Sequence, residues 1–302
     1  MLQEIKIKNF KSFKEEAELS FEAYSDDTNN SVVTMPDGVK LLRFAVVLGA
    51  NASGKSNLLD AIEFLRTFWN KLPLKNDEGT DVQPFLMQPD ALNHNTEFEV
   101  KLYIDGIRYW YQLEINPEKV VNESLLVYLT NRPTKVFSRC DVNGISKITF
   151  NPSVVKLTSA EIDVMSMNCL RNMSLLAVLK KVNVEVAYVD KMRKWIDEKM
   201  MPLQNGSKSS ISQNAKSMLM EDETFKEYLM LFAKEADFNI SDIKVKKMVA
   251  LFGKDSVWFT EKEKNGNSNL YSLVDFKGLN KLSSIHRAYM NGQFGALPNV
   301  IM

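Results

Sequence analysis

The chain has 302 residues, 45% of them hydrophobic and 25% charged, the balance of an ordinary globular protein long enough to bury a core. Thirty-eight lysines and arginines offset thirty-eight aspartates and glutamates, which excludes the global basic footprint of non-specific nucleic-acid binding and leaves only local patches. Cys140 and Cys169, the two cysteines, stand far apart with no histidine nearby, which argues against a zinc site or a disulfide framework and for a reducing, cytoplasmic compartment.

The N-terminal run MLQEIKIKNFKSFKEE lacks the apolar centre of a secretory signal, and no window reaches the roughly eighteen apolar residues of a membrane span. Alternation over Gln3 to Phe10 and Glu16 to Ala23 predicts two strands in a hairpin or meander. After a polar stretch and a turn at Asp37-Gly38, the apolar run Leu41 to Leu48 reads as one strand buried on both faces, as in a parallel sheet. It runs straight into GANASGKSN, Gly49 to Asn57.

Beyond that loop, Leu58, Ile62, Leu65 and Trp69 recur at helical spacing with Ala61 and Phe68 beside them, while Asp60, Glu63, Arg66 and Asn70 take the other side. Thr96 to Ile115 reads as a hairpin turning at Asp105-Gly106, and SLLVYLT and TKVFSR extend an antiparallel sheet expected over about residues 80–150. Strand alternation sends Tyr109 and Tyr111 to one face and Trp110 to the other, which favours sheet packing over base stacking.

Thr158 and Glu161 make a capping box, and NMSLLAVLKKV and VDKMRKWIDEKM carry helical periodicity. Gln204 to Ala215 reads as a polar loop before a helix with Phe225, Tyr228, Leu229 and Phe232 on one face. Strand-like runs return at DIKVKKMVALF, SVWFTEKE, NLYSLVDF and SSIHRAY, with KVKKM, Lys244 to Met248, as a solvated strand edge.

Gly49-x-x-x-x-Gly54-Lys55-Ser56 satisfies the phosphate-loop pattern, between an apolar strand and an amphipathic helix whose N-terminus offers oriented N–H groups and a positive dipole end. Glycines let successive N–H groups turn inward, Lys55 is expected to reach the β- and γ-phosphates, and Ser56 to place its hydroxyl on Mg²⁺. His94 and His286 are almost two hundred residues apart and read as structural or solvent-exposed, and no hydrolase, zincin or deaminase spacing is present.

KNFKSF, Lys8 to Phe13, followed by a β-rich connection and GANASGKSNLLDAI, resembles the ATP-binding heads of the SMC, RecF and OLD group of ABC-type ATPases. Within that group the chain is most similar to AAA-family ATP-binding proteins linked to abortive infection, the bacterial phage-defence ATPases. PFLMQPDALNHNTEFEVKLYIDGIRYWYQLEI, NESLLVY, VFSR, MSLLAVL, FAKEADFNISDIKV and SSIHRAY resemble that family's later landmarks in order.

The resemblance implies an α/β P-loop NTPase head with an antiparallel β-subdomain and a helical insertion. It implies ATP and Mg²⁺ at Gly49, Asn51, Ser53, Gly54, Lys55, Ser56 and Asn57, and contacts from Lys11 and Ser12 on the adenosine side. Gln83 and Gln88 lie where such heads carry a metal- and γ-phosphate-sensing glutamine. A homodimer or an effector protein is the partner implied for the complete form; DNA dependence is left open, and no membrane association is implied.

Two parts of that pattern do not appear: an apolar strand ending in Asp-Glu, and the serine- and glycine-containing signature. VEVAYVD, Val184 to Asp190, comes nearest to the first, but its lysine-rich continuation reads as a helix surface. The expected organisation is residues 1–155 as the first part of the head with its β-subdomain, 156–240 as the helical insertion, and 241–302 as a β-rich return segment. The terminus reads as that of a fragment, frameshifted or naturally truncated, of a longer ATPase. The function expected is ATP hydrolysis coupled to an anti-phage effector, against a nucleotide-binding, hydrolysis-deficient interaction module. A small-molecule kinase is disfavoured by the absence of an acceptor-site motif.

Overall fold

The computed structural model describes residues 1–24, 32–202 and 254–276, with single positions 279, 288, 289, 294 and 295. The expected polar loop and helix over 204–232, the run DIKVKKMVALF with Lys244 to Met248, and His286 lie outside the described residues. So does most of SSIHRAY.

The largest element is a seven-stranded antiparallel sheet in the order β10-β9-β8-β7-β6-β1-β2. Its strands are β1 (Leu2–Lys8), β2 (Ala17–Ser20), β6 (Thr96–Ile104), β7 (Ile107–Ile115), β8 (Val120–Tyr128), β9 (Pro133–Val142) and β10 (Ile145–Phe150). A two-stranded ribbon pairs β3 (Val32–Thr34) with β4 (Lys40–Leu42). A third sheet, in the order β12-β11-β5, joins β5 (Val46–Gly49), β11 (Val257–Lys262) and β12 (Ser268–Ser272), with β5 and β11 parallel. The helices are α1 (Lys55–Phe68), α2 (Ser159–Asn168), α3 (Leu175–Val178) and α4 (Ala187–Lys199). The architecture is thus mixed α/β, a strand–phosphate-loop–helix unit from β5 to α1 beside a large antiparallel subdomain.

Period-two alternation decides the large sheet. Ile5, Ile7, Phe98, Val100, Leu102, Tyr109, Tyr111, Leu113, Leu125 and Val127 are buried on one face, where they meet Leu58, Ala61, Leu65 and Phe68 of α1. Phe64 of α1 stacks on Phe98 at 5.3 Å between ring centroids. On the opposite face, polar groups pair across strands: Lys8 with Glu97 at 2.9 Å, Lys101 with Glu4 at 3.1 Å, and the Trp110 indole with Glu99 at 3.0 Å. The β6–β7 turn sits at Asp105 (φ 49°) and Gly106 (φ 78°), as the Asp-Gly pair predicts.

Three expectations change. The run Leu41 to Leu48 is not one strand: exposed Arg43 interrupts it, Lys40–Leu42 pairs with β3, and the strand resumes at Val46. β5 is apolar on both faces, since Ala45 and Val47 pack on the main core while Phe44, Val46 and Leu48 pack on a second cluster around Phe259 and Leu273. Its residues are nevertheless only partly buried, because among the described residues β11 is its one strand neighbour. The run of antiparallel strands expected from about residue 80 begins at Thr96, joining β1 and β2 in one sheet, and the stretch before it is irregular with a 3₁₀ turn at Ala91–Asn93.

The helix expected over NMSLLAVLKKV shrinks to Leu175–Val178. Ser174 fixes its start by accepting from the Leu176 N–H, and i to i+3 bonds from Lys180 and Lys181 to Ala177 and Val178 tighten its end into turns. By contrast, the Thr158–Glu161 capping box forms at the start of α2, and Asp190 of VEVAYVD lies in the first turn of α4, accepting from the Val186 N–H at 2.7 Å. Among the described residues no helix is long and apolar enough to cross a membrane.

One buried polar cluster ties the sheet to the α2–α3 connection. Glu123, 1% exposed, accepts from the Tyr111 hydroxyl at 2.9 Å, the Ser174 hydroxyl at 2.6 Å, the Leu175 N–H at 2.9 Å and the Arg139 guanidinium at 3.1 Å. Arg139 also donates to the Leu170 and Met173 carbonyls and to Ser146. Breaking a buried pair strands one charge, so Arg139→Met should lower stability by about 3–5 kcal/mol, read from the urea midpoint. Arg139→Met with Glu123→Gln should lose less than the sum of the single changes. Nearby Cys169 is buried and its thiol is pushed up to about 11, first by desolvation, whereas Cys140 is half-buried. A thiol reagent should therefore label Cys140 in the folded protein and Cys169 only after denaturation.

Candidate functional site: a phosphate loop between two sheets

β5 delivers the chain to Gly49 and α1 carries it away from Lys55, with Gly54 as the residue before the helix. Gly54 has φ +118°, and a Cβ there would stand 2.6 Å from the Ser268 hydroxyl oxygen, so both backbone and space demand glycine. At Gly49 a Cβ would come within 2.4 Å of the Thr260 carbonyl and hydroxyl oxygens. Between the glycines the Ser53 N–H donates to the Ala50 carbonyl at 3.2 Å and Ala52 adopts a left-handed φ of 64°, which curls the loop over the helix start. No side chain caps α1 and its first turn holds no acidic residue, so nothing on the helix itself offsets the positive end of its dipole.

Lys55 folds back across this loop, donating to the carbonyls of Gly49 and Ala50 at 2.7 Å each. Desolvation lowers its pKa. Ser56 and Asn51 are exposed, and Ser53 is 1% exposed with its hydroxyl 2.5 Å from that of Thr260. Thr260 lies opposite Gly49 in the parallel β5–β11 register and also donates to the Leu48 carbonyl at 3.3 Å.

The N-terminal turn comes to the flank of the loop. Asn57 donates from Nδ2 to the Ser12 hydroxyl oxygen at 2.7 Å, Ser12 is 6% exposed, and Lys11 pairs with Asp60 of α1 at 2.6 Å. Asn9 anchors the turn, accepting at Oδ1 from the Phe85 N–H and the Gln88 amide and donating from Nδ2 to the His94 and Asn95 carbonyls. Gln88 is therefore engaged at Asn9, and Gln83 presents its carbonyl to the Lys11 N–H at 2.8 Å. His94 is exposed.

Mg²⁺ takes oxygen ligands and is usually held by a few protein groups plus phosphate oxygens, so the exposed Ser56 hydroxyl at the first helical turn fits that demand. No cluster of three or more His, Cys, Asp or Glu side chains stands ready for a metal among the described residues. The carboxylate nearest in sequence to the loop's strand neighbour is Glu261, but alternation turns it to the face opposite Thr260, where it meets the Tyr271 hydroxyl at 3.4 Å.

The loop residues and the Ser12 turn singled out from the sequence lie side by side, and against them lie Thr260, Asn267 and Ser268, which the sequence did not single out. Asn267 accepts the Lys14 N–H at 2.9 Å and the Ser268 N–H donates to the Ser12 carbonyl at 2.7 Å. These residues come from beyond position 250, and only the strand-like run SVWFTEKE offered a signal.

Residues 44–151 match the family model described as "AAA domain, putative AbiEii toxin, Type IV TA system". None of the curated proteins compared with the chain matches it. Among solved structures, the SMC head domain from Thermotoga maritima is 23% identical with a TM-score of 0.21, over 44% of this chain and 38% of that one. The chain thus spans less than half the length of that structure. Over residues 44–151, which include the whole phosphate loop, the chain is similar to AAA-type P-loop ATPase domains.

Proposed function

We propose that the chain binds ATP with Mg²⁺ at Gly49–Asn57, in the cytoplasm, as an AAA/ABC-type ATPase that couples hydrolysis to an anti-phage effector. The observation that carries the binding is the uncapped start of α1 beneath a loop whose two glycines admit no side chain, with Lys55 lying across it. Oriented N–H groups, a positive helix end and a flexible ammonium together make an acceptor for adjacent phosphates. Gly49, Ser53 and Gly54 shape the backbone, and Lys55 takes the β- and γ-phosphate oxygens. Ser56 ligates Mg²⁺, while Asn51 and Asn57 border the phosphates. Lys11 and Ser12 belong to the adenosine side.

A second reading, a nucleotide-binding interaction module without hydrolysis, is favoured by one feature. The side chain that β11 turns toward the loop is the Thr260 hydroxyl, where hydrolysis would call for a carboxylate to polarise water. A homodimer or an effector would be the partner in either case.

Lys55→Ala removes charge-assisted contacts and should weaken ATP binding by about 1.5–3 kcal/mol, roughly ten- to a hundredfold, measured by calorimetry. Equal binding by wild type and mutant would defeat the nucleotide assignment, and turnover measured alongside separates ATPase from module. Gly54→Ala should abolish binding and lower the thermal midpoint, because strain at φ +118° and the clash with Ser268 act together.

A further inference from the structure

Thr260 belongs to no motif, yet it touches the phosphate loop at two points. Its hydroxyl meets Ser53 at 2.5 Å where both side chains are buried, 1% exposed for Ser53 and 0% for Thr260, and it donates to the carbonyl of Leu48, the last residue before Gly49. Ser53 directly precedes the glycine from which α1 starts, so its side chain sets the direction in which the loop enters the helix. In the register of β5 and β11, Val257, Trp258 and Phe259 pair with Val46, Val47 and Leu48, and Thr260 closes the series at Gly49.

The strand that carries Thr260 is itself held at the site. From β11 the chain turns into β12, where Ser268, 2% exposed, packs on Gly54 and donates its N–H to the Ser12 carbonyl, and Asn267 takes the Lys14 N–H. Ser12 in turn accepts from Asn57 of α1. The hairpin β11–β12 therefore grips the loop at its start, at Gly54 and through the N-terminal turn.

We propose that Thr260 is a positioning residue for polyphosphate binding: through Ser53 it holds the Gly49–Lys55 backbone in the curvature that aims its N–H groups at the phosphates, with the β11–β12 hairpin as the rigid support. This rests on the nucleotide assignment above and deepens it. Thr260 makes no contact with the nucleotide; the loop would recognise phosphate, and the hydroxyl pair would keep the loop in register. Thr260→Val preserves shape and removes the hydroxyl, leaving the buried Ser53 hydroxyl without its partner.

The test is ATP affinity, by calorimetry, for the full chain as wild type, Thr260→Val, Thr260→Ser, Ser53→Ala and the double variant Thr260→Val/Ser53→Ala, with thermal midpoints recorded without nucleotide. Thr260→Val is expected to weaken ATP binding about tenfold, Thr260→Ser to restore it to within about twofold, and the double variant to lose no more than the worse single change. Rescue by the shorter serine separates a hydroxyl that orients the loop from a side chain that merely fills space, since serine packs less well than valine. Wild-type affinity in Thr260→Val, or equal weakening in Thr260→Ser, overturns the proposal while leaving the nucleotide assignment standing. Binding by the wild type no tighter than by Lys55→Ala overturns both.

Discussion

The structure turns on the fixing of one helix. α1 buries Leu58, Ala61, Leu65 and Phe68 against the large sheet, with Trp69 meeting Tyr111 edge-on at 5.2 Å. Each fully buried leucine or phenylalanine side chain contributes on the order of 1.5–3 kcal/mol. The N-terminus of α1, uncapped and without an acidic residue in its first turn, is kept in place by that face together with the Asn57–Ser12 and Lys11–Asp60 contacts on its flank. The meander β6–β10, which carries no residue of the phosphate loop, serves the site as the platform on which α1 lies.

β5 is where two cores meet. Its alternate side chains enter the main core and the Phe259 cluster, so a shift in either core reaches Gly49 directly. In the second cluster Phe259 lies 5.6 to 5.7 Å from Tyr271, Tyr289 and Phe294, an aromatic packing that fixes β11 against β12 and so fixes the distance between β11 and the loop. Glycine at position 49 is the other half of that arrangement: the approach of β11 leaves no room for a Cβ.

Local signals were legible in the sequence and contacts between distant segments were not. The 3.6-residue period gave α1, Asp105-Gly106 gave the hairpin, Thr158 with Glu161 gave the start of α2, and glycine spacing gave the loop. Each rests on neighbours within a few positions. Leu41 to Leu48 misled because apolarity cannot report where pairing switches from β3 to β11, and NMSLLAVLKKV misled because capping and turn bonds shortened a helix that its periodicity would have continued. Thr260 was out of reach for a different reason: its partner is 207 positions away, and a threonine within a strand has no local peculiarity.

Lys55 gives its ammonium to two carbonyls of its own loop, so those carbonyls compete with any anion for it. A small monovalent ion offers one weak attraction in exchange for two well-formed bonds and leaves the lysine where it is. Under the nucleotide reading proposed above, a chain of phosphates would spread several charges along the loop and reach the helix end and the ammonium together, which offsets the loss of those bonds. On that reading the back-folded lysine would set a threshold of charge that a single monovalent anion does not meet.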